Sequence, residues 1–232
     1  MPTSIEAIRI VSSRMEPLGL SFTFIGGAVL GLLVDDAELS QVRSTKDVDV
    51  VVEILTYWEY ATLEARLRKA GFKHDTSAGA PICRWMVDGC LVDVLPKDSA
   101  ALGMNSKWFP EVLREAQLRD VGHGCKASII TPALFLATKL EAFKDRGHGD
   151  YLLSRDLGDI ITLVDGRASI IDDISSSLPS IRASISEGIS ELLKDPYFRE
   201  AVPEHLPVIQ GSRQRLPLLM NRLETIAHSG KP

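Results

Sequence analysis

Cysteine is scarce in this chain: Cys83, Cys90 and Cys125 are its three, scattered, without a CxxC pair and odd in number. That disfavours a disulfide framework or a thiolate zinc centre and leads us to expect a reducing compartment. Long apolar runs are missing as well. Nothing approaches the roughly 20 residues of a membrane span, and the first 21 residues lack the basic start and apolar centre of a signal peptide, so the expected location is the cytoplasm with no membrane partner. Positive charge is in short supply: 26 Lys and Arg stand against 31 Asp and Glu, a formal net charge of −5. This argues against the all-over positive potential of a nonspecific nucleic-acid binder, while leaving room for a local basic groove. Lys and Arg gather in residues 66–73 and 139–155, a pattern that solvated helix faces also show. His74, His123, His148, His205 and His228 have no HExxH spacing, and no Ser-His-Asp or Cys-His motif is present. There is no internal repeat, coiled-coil heptad run or low-complexity segment.

What is present is an ordinary globular composition, 232 residues with 45% hydrophobic content, enough for one sizeable domain and a smaller appendage. Ile5, Ile8 and Val11 recur at helical spacing behind Thr3 and Ser4, residues able to cap a helix start, with Met15 off the same stripe. Residues 22–25 read as a short strand running into Gly26-Gly27, after which residues 28–34 suit a buried helix. Polar residues 35–46 mark a loop, and Val48, Val50, Val51 and Val52 form a β-branched run typical of a covered strand. Residues 57–70 are helical, with Gly71 as the stop. Strands at 82–87 and 91–95 flank Asp88-Gly89, a dipeptide that favours a tight hairpin. A less regular stretch around Trp108 and Pro110 precedes a second hairpin, 117–121 with 127–130. Beyond Thr131-Pro132 the chain reads as helix at 133–144, 151–164, 181–194 and 216–227, with loops at 175–177 and 203–207. The expected class is α+β: a mixed sheet flanked by helices over residues 1–130, then a helical domain over 131–232.

The local signal with most chemistry is Thr45-Lys46-Asp47-Val48-Asp49-Val50. Carboxylates at i and i+2 of a strand share one face. Two of them amid apolar neighbours repel each other and lose hydration, a cost that a divalent cation removes. Mg²⁺ suits the task, because it takes hard oxygen ligands and bridges one or two carboxylates to substrate phosphates. Gly26 and Gly27 at the strand-to-helix turn let bare backbone approach a phosphate. Asp93, in Leu91-Val92-Asp93-Val94-Leu95, is the acid on a neighbouring strand best placed as third ligand. Taken singly, a Gly-Gly turn is often only a turn, an Asp pair is often merely exposed, and a strand Asp often caps backbone. The ordered combination is far more specific.

In this combination the chain resembles the nucleotidyltransferase superfamily, whose pattern is a Gly-Gly or Gly-Ser turn, an Asp-hydrophobic-Asp strand and a later strand carboxylate. Phe24-Ile25-Gly26-Gly27, Asp47-Val48-Asp49 and Asp93 match the three parts in order. The long interval from Gly27 to Asp47 and the run Arg43-Ser44-Thr45-Lys46-Asp47-Val48-Asp49 look like the branch of AbiEii-like toxins and related uncharacterised bacterial families, which reads Arg-x-Thr-x-Asp-x-Asp there. Lys139-Leu140-Glu141-Ala142, Arg146, Arg155-Asp156 and Asp159 also follow that branch's order, so the resemblance spans residues 22–164. It implies a polymerase-β-like core that uses Mg²⁺, two ions on Asp47, Asp49 and Asp93, and a nucleoside triphosphate. A nucleotidyl group would pass to an acceptor hydroxyl, with Asp93 as a general base. Gly26, Gly27, Arg43, Thr45, Lys139, Arg146 and Asp156 are then nucleotide-binding candidates, Lys139 also serving catalysis and Asp156 fixing Lys139 or Arg155. An ordinary helix salt-bridge network is the plainer account of that last set. For the acceptor, the branch implies tRNA or another RNA, and a toxin or phage-defence role with an antitoxin partner. A small-molecule, antibiotic-like acceptor and a non-catalytic nucleotide- or partner-binding relative remain open.

Overall fold

The computed structural model describes residues 2–35, 45, 47–54, 57–98, 106–147, 149–206 and 212–230. Two compact units divide the chain: Met1–Val29 with Ser44–Thr131, and Leu30–Arg43 with Pro132–Pro232. The expected α+β class is what is found, a mixed seven-stranded sheet accompanied by helices.

Helix α1 (Ser4–Met15) opens the first unit with the expected start: the Thr3 side chain accepts from the Glu6 backbone while Glu6 reaches back to Thr3. That reciprocal capping box satisfies orphan N–H groups at the helix start and is worth about 1 kcal/mol. Ile8, Val11 and Met15 are fully buried and Ile5 is exposed, so the inward stripe is set by α1 packing on β2, β5 and β7 rather than by the nearest apolar residues in sequence. Strand β1 (Phe22–Ile25) ends at Gly26, whose φ of +70° is one that a side chain disfavours. Where a longer helix is expected, the chain makes a 3₁₀ turn at Gly27–Val29 and a single α turn, α2 (Leu30–Leu33), which groups with the second unit.

Strand β2 (Asp47–Val52) lies inside the sheet, whose order is β3-β4-β5-β2-β1-β7-β6. Here β3 is Lys73–His74, β4 Arg84–Val87, β5 Cys90–Pro96, β6 Gln117–Asp120 and β7 Lys126–Ile129. Val50, Val51 and Val52 are inaccessible to solvent, which accounts for the β-branched run: β1 and β5 flank the edges of β2 and helices, α1 among them, pack on its faces. The β4–β5 hairpin turns on Asp88 and Gly89, both at positive φ, as a type I′ connection requires. Helix α3 (Tyr57–Lys69) stops before Gly71, at φ +94°. Helix α4 (Phe109–Glu115) was not expected from the sequence. Pro110 sits at its first turn, where the missing N–H costs nothing. Lys73–His74 was likewise too short to stand out by periodicity.

The second unit carries α5 (Pro132–Arg146), α6 (Arg155–Gly166), α7 (Ile170–Ser175), α8 (Pro179–Lys194), α9 (Pro196–Ala201) and α10 (Ser212–His228). Sequence reading missed α7, α9 and the 3₁₀ turn Val202–His205, all too short to show a clear period. It also started α6 too early: residues 151–153 form a turn, and Ser154 caps the helix by accepting from the Leu157 amide. Arg167 ties the end of α2 to this unit, donating to the Leu33 carbonyl at 2.8 Å and to Asp173.

None of the three cysteines is joined in a disulfide. Burial, reinforced by the negative charge of Asp93, pushes the Cys83 thiol up to about 12, so it remains protonated packing rather than a nucleophile. At pH 8, a thiol-specific reagent is expected to modify exposed Cys125 readily and buried Cys83 and Cys90 only under denaturing conditions, read by mass spectrometry of the labelled peptides.

Candidate active site

The acidic constellation forms because of strand register. β2 and β5 run parallel with Asp49 directly paired to Asp93, and Asp47, two residues earlier on β2, shares Asp49's face. Adjacent strands lie about 4.8 Å apart, so register brings the three carboxylates to one patch of sheet. On the other side of β2, antiparallel β1 pairs Ile25 with Asp49, which delivers the turn at Gly26 onto the same residue. A Cβ built on Gly26 would stand 1.9 Å from Asp49 Oδ2. Glycine is therefore demanded twice over, by positive φ and by the carboxylate lying where a side chain would go.

Sequence reading did not single out Arg84, which stands among these acids. β4 pairs antiparallel with β5 so that Arg84 faces Asp93. Its guanidinium forks onto that carboxylate, Nε donating to Oδ1 at 2.8 Å and Nη2 to Oδ2 at 2.7 Å, and Nη2 also donates to Asp47 Oδ2 at 2.8 Å. Bidentate charge-assisted bonds of this kind are roughly twice as strong as neutral ones. They hold the Arg84 pKa above its ordinary value, with the hydrogen bond to Asp93 outweighing desolvation. The Thr45 hydroxyl donates to Asp47 Oδ1 at 2.9 Å, so Asp47 is gripped at both oxygens. Asp93 is buried, whereas the Asp47 side chain keeps 33% of its surface exposed. Tyr60, in the same electrostatic neighbourhood, is pushed up to about 12 by burial and stays a neutral phenol. Arg43 and Lys46 lie outside the described residues, as does His148.

Asp47, Asp49 and Asp93 offer the hard oxygen set that Mg²⁺ takes, and Gly26 leaves the space beside Asp49 free of a side chain. Among the described residues, no three His, Cys, Asp or Glu side chains stand close enough together to hold a metal ion as they are positioned. Arg84 Nη2 bridges Asp47 and Asp93, while the Asp49 carboxylate lies against the Gly26 turn.

A second charged cluster belongs to the helical unit. Lys139, on α5, places Nζ 2.9 Å from Asp156 Oδ1 and 2.7 Å from Asp159 Oδ2, the two aspartates one turn apart on α6. Arg146 forks onto Asp156 through Nε at 2.8 Å and Nη2 at 2.9 Å. Lys139 is buried between its two partners, so its charge is already balanced, whereas the Arg146 side chain is 68% exposed. Burial pushes the Asp156 carboxyl up, but the hydrogen bonds of Arg146 and the charge of Lys139 prevail and hold it at about 2.

No protein family matches this sequence, and no curated protein matches it significantly. Solved structures do. An antigenic nucleotidyltransferase-like protein from Paracoccidioides brasiliensis aligns with TM-score 0.52 at 18% identity, over 86% of this chain and 91% of that one. The antibiotic-resistance factor ANT(2'')-Ia aligns with TM-score 0.47 at 10% identity, over 82% of this chain and 93% of that one. The first of these establishes the fold as nucleotidyltransferase-like. No helix among the described residues is long and apolar enough to cross a membrane.

Gly26→Ala is expected to displace the Asp49 carboxylate and to destabilise the protein by about 1–3 kcal/mol, seen as a lowered urea midpoint. Asp156 gives a pH signature. Its folded pKa lies below the unfolded value of 3.8, so its contribution is complete above pH ~4 and is lost as pH falls towards 2. Asp156→Asn should remove about 2 kcal/mol of stability at neutral pH and flatten the loss of stability between pH 4 and 2, measured by denaturant unfolding along a pH series.

Proposed function

We propose that this chain is a nucleotidyltransferase whose active centre is the Asp47, Asp49, Asp93 patch beside the Gly26 turn. The observation that carries the reading is the register that pairs Asp49 with Asp93 while laying a side-chain-free turn against Asp49, within a nucleotidyltransferase-like fold. A purely structural role would not require three acids on one face of a sheet, where they repel one another.

In the proposed reaction an acceptor hydroxyl attacks the α-phosphorus of a nucleoside triphosphate. A new oxygen–phosphorus bond forms, the bond to the bridging oxygen breaks, and pyrophosphate leaves. In this reading Asp93 is the general base that would take the hydroxyl proton. Gly26 lets main chain approach the phosphates without steric conflict. Thr45 keeps Asp47 turned to the working face by holding one of its oxygens. Asp47, Asp49 and Asp93 are the residues that would hold Mg²⁺, as two ions in this reading, which when bound supplies charge to the phosphate oxygens and lowers the acceptor hydroxyl's pKa. Arg146, the exposed cation of the helical cluster, is suited to an anionic group, and Lys139 fixes Asp156 and Asp159.

The AbiEii-like pattern of the Thr45–Asp49 and Lys139–Asp159 segments favours an RNA acceptor such as tRNA, and with it a toxin role and an antitoxin partner. A small-molecule hydroxyl is the rival acceptor class. One observation favours a different reading, binding without turnover: Arg84 already pairs with both Asp47 and Asp93.

With purified protein, each labelled nucleoside triphosphate and Mg²⁺, label is expected to move onto total tRNA and not onto a panel of aminoglycosides. Asp49→Asn, with unchanged far-UV circular dichroism, should lower the Mg²⁺-dependent pyrophosphate release by about 10²–10³-fold. Full release by that folded variant rejects the assignment. Nucleotide binding with no release by the native protein supports the non-catalytic reading.

A further inference from the structure

At the β3 end of the sheet, burial follows strand alternation. His74, Trp85, Val92 and Val48 lie in register across four strands on the covered side, where Trp85 and Val92 are inaccessible to solvent. The adjacent row, Lys73, Met86, Leu91 and Asp47, faces the opposite way with the acids: Asp47 and Leu91 are half-buried, Met86 is 43% exposed and Lys73 is exposed. A shallow apolar step of Leu91 and Met86 thus leads from the acids to a cation at the margin of the sheet. We infer that this row is the acceptor subsite, and that it takes the single-stranded end of an RNA, with a base on Met86 and Leu91 and a phosphate on Lys73. This rests on the nucleotidyltransferase reading above and adds to it where the acceptor lies and which side chains hold it.

Position selects the flank. The Gly26 turn, where the triphosphate lies in that reading, comes from β1, and Asp93, the proposed base, stands on β5 at the other side of β2. An acceptor hydroxyl at Asp93 therefore belongs to a molecule lying over β5, β4 and β3. Chemistry selects the occupant. The thioether of Met86 and the methyls of Leu91 suit the uncharged face of a base, and an unpaired strand end is where a base face is open to such contact. Lys73 suits a phosphate and would repel a cationic acceptor. Three strand spacings of ~4.8 Å put Lys73 about 14 Å from Asp47, longer than a single sugar ring. Repulsion of that phosphate by the acids is weak at such a distance, which exceeds the Debye length of about 8 Å at physiological ionic strength. Asp75, the acid nearest Lys73 in sequence, accepts from the Ser77 amide at 2.9 Å and so has a partner of its own.

Binding of a fluorescein-labelled single-stranded RNA with a free 3′ hydroxyl to the full chain is followed by fluorescence anisotropy in EDTA, without nucleotide, across a salt series. Lys73→Ala is expected to raise the dissociation constant about fivefold and to lessen the slope of log affinity against log salt by about 0.7, the amount for one phosphate contact to a single strand. Met86→Ala should raise it about fivefold with the slope unchanged, the mark of a contact to a base. Leu118→Ala is the directional control. Leu118 is 71% exposed on the same face but on the far flank, paired with Ser128, whose hydroxyl meets that of Thr23 opposite Val51. That variant should bind RNA as the native protein does. Binding that neither Lys73→Ala nor Met86→Ala weakens, or that Leu118→Ala weakens as much, overturns the subsite, and so does the absence of RNA binding by the native protein. Nucleotidyl transfer to a small-molecule hydroxyl without RNA binding overturns it too, while leaving the nucleotidyltransferase reading intact. The expected binding pattern without any pyrophosphate release leaves RNA on this row and dismisses only the catalytic reading.

Discussion

Like charges on adjacent strands are the constraint around which the sheet unit is arranged. Parallel pairing of β2 with β5 sets Asp49 against Asp93, and alternation along β2 adds Asp47 to the same face. Burial of Asp93 sharpens the repulsion, because a lower local dielectric screens it less. The fold accommodates this with a cation supplied by the chain, Arg84, delivered by the next strand through the tight β4–β5 hairpin. The surrounding apolar strands provide the rigidity that keeps such groups apart by fixed amounts, and Gly26 provides clearance at the one place where backbone closes over a carboxylate.

Much of this was readable from the residues. The strand Phe22–Ile25, its glycine turn, the Asp-x-Asp strand and the Asp88-Gly89 hairpin each carry a signal with a local cause, namely β-branched alternation or a demand for positive φ. Arg84 was readable too, but only in two steps. A two-residue Asp-Gly loop pairs Val87 with Cys90, and counting outward from there puts Arg84 opposite Asp93. The signal lay in the register of the hairpin, not in the composition of either strand. What local signals could not supply were elements whose length is near one turn or one pair of residues, such as α7, α9 and β3, since a period cannot be recognised over so few positions. Pro110 shows the opposite error: placed in a less regular stretch, it lies in the first turn of a helix.

The helical cluster changes the weight given to individual residues. As read from sequence, Lys139 was the charge for a triphosphate. Two aspartates of α6 meet it in the structure, so the lysine's evident task is to join α5 to α6 in a place where neither carboxylate would tolerate burial alone. Spacing alone distinguished neither role, because i and i+3 acids on one helix face serve an incoming cation and a neighbouring side chain equally well. Arg146 completes the set from the solvent side and is the member with surface left to offer.

The two borders of the sheet carry a consequence of their own. At one margin β3 contributes just Lys73 and His74, and at the other β6 alternates Leu118 and Asp120 with Gln117 and Arg119. A foreign strand seeking to extend the ladder would find two residues to bond on the first side and charges to dehydrate on the second. Self-association by strand addition, the usual hazard of an open sheet rich in valine, is thereby discouraged.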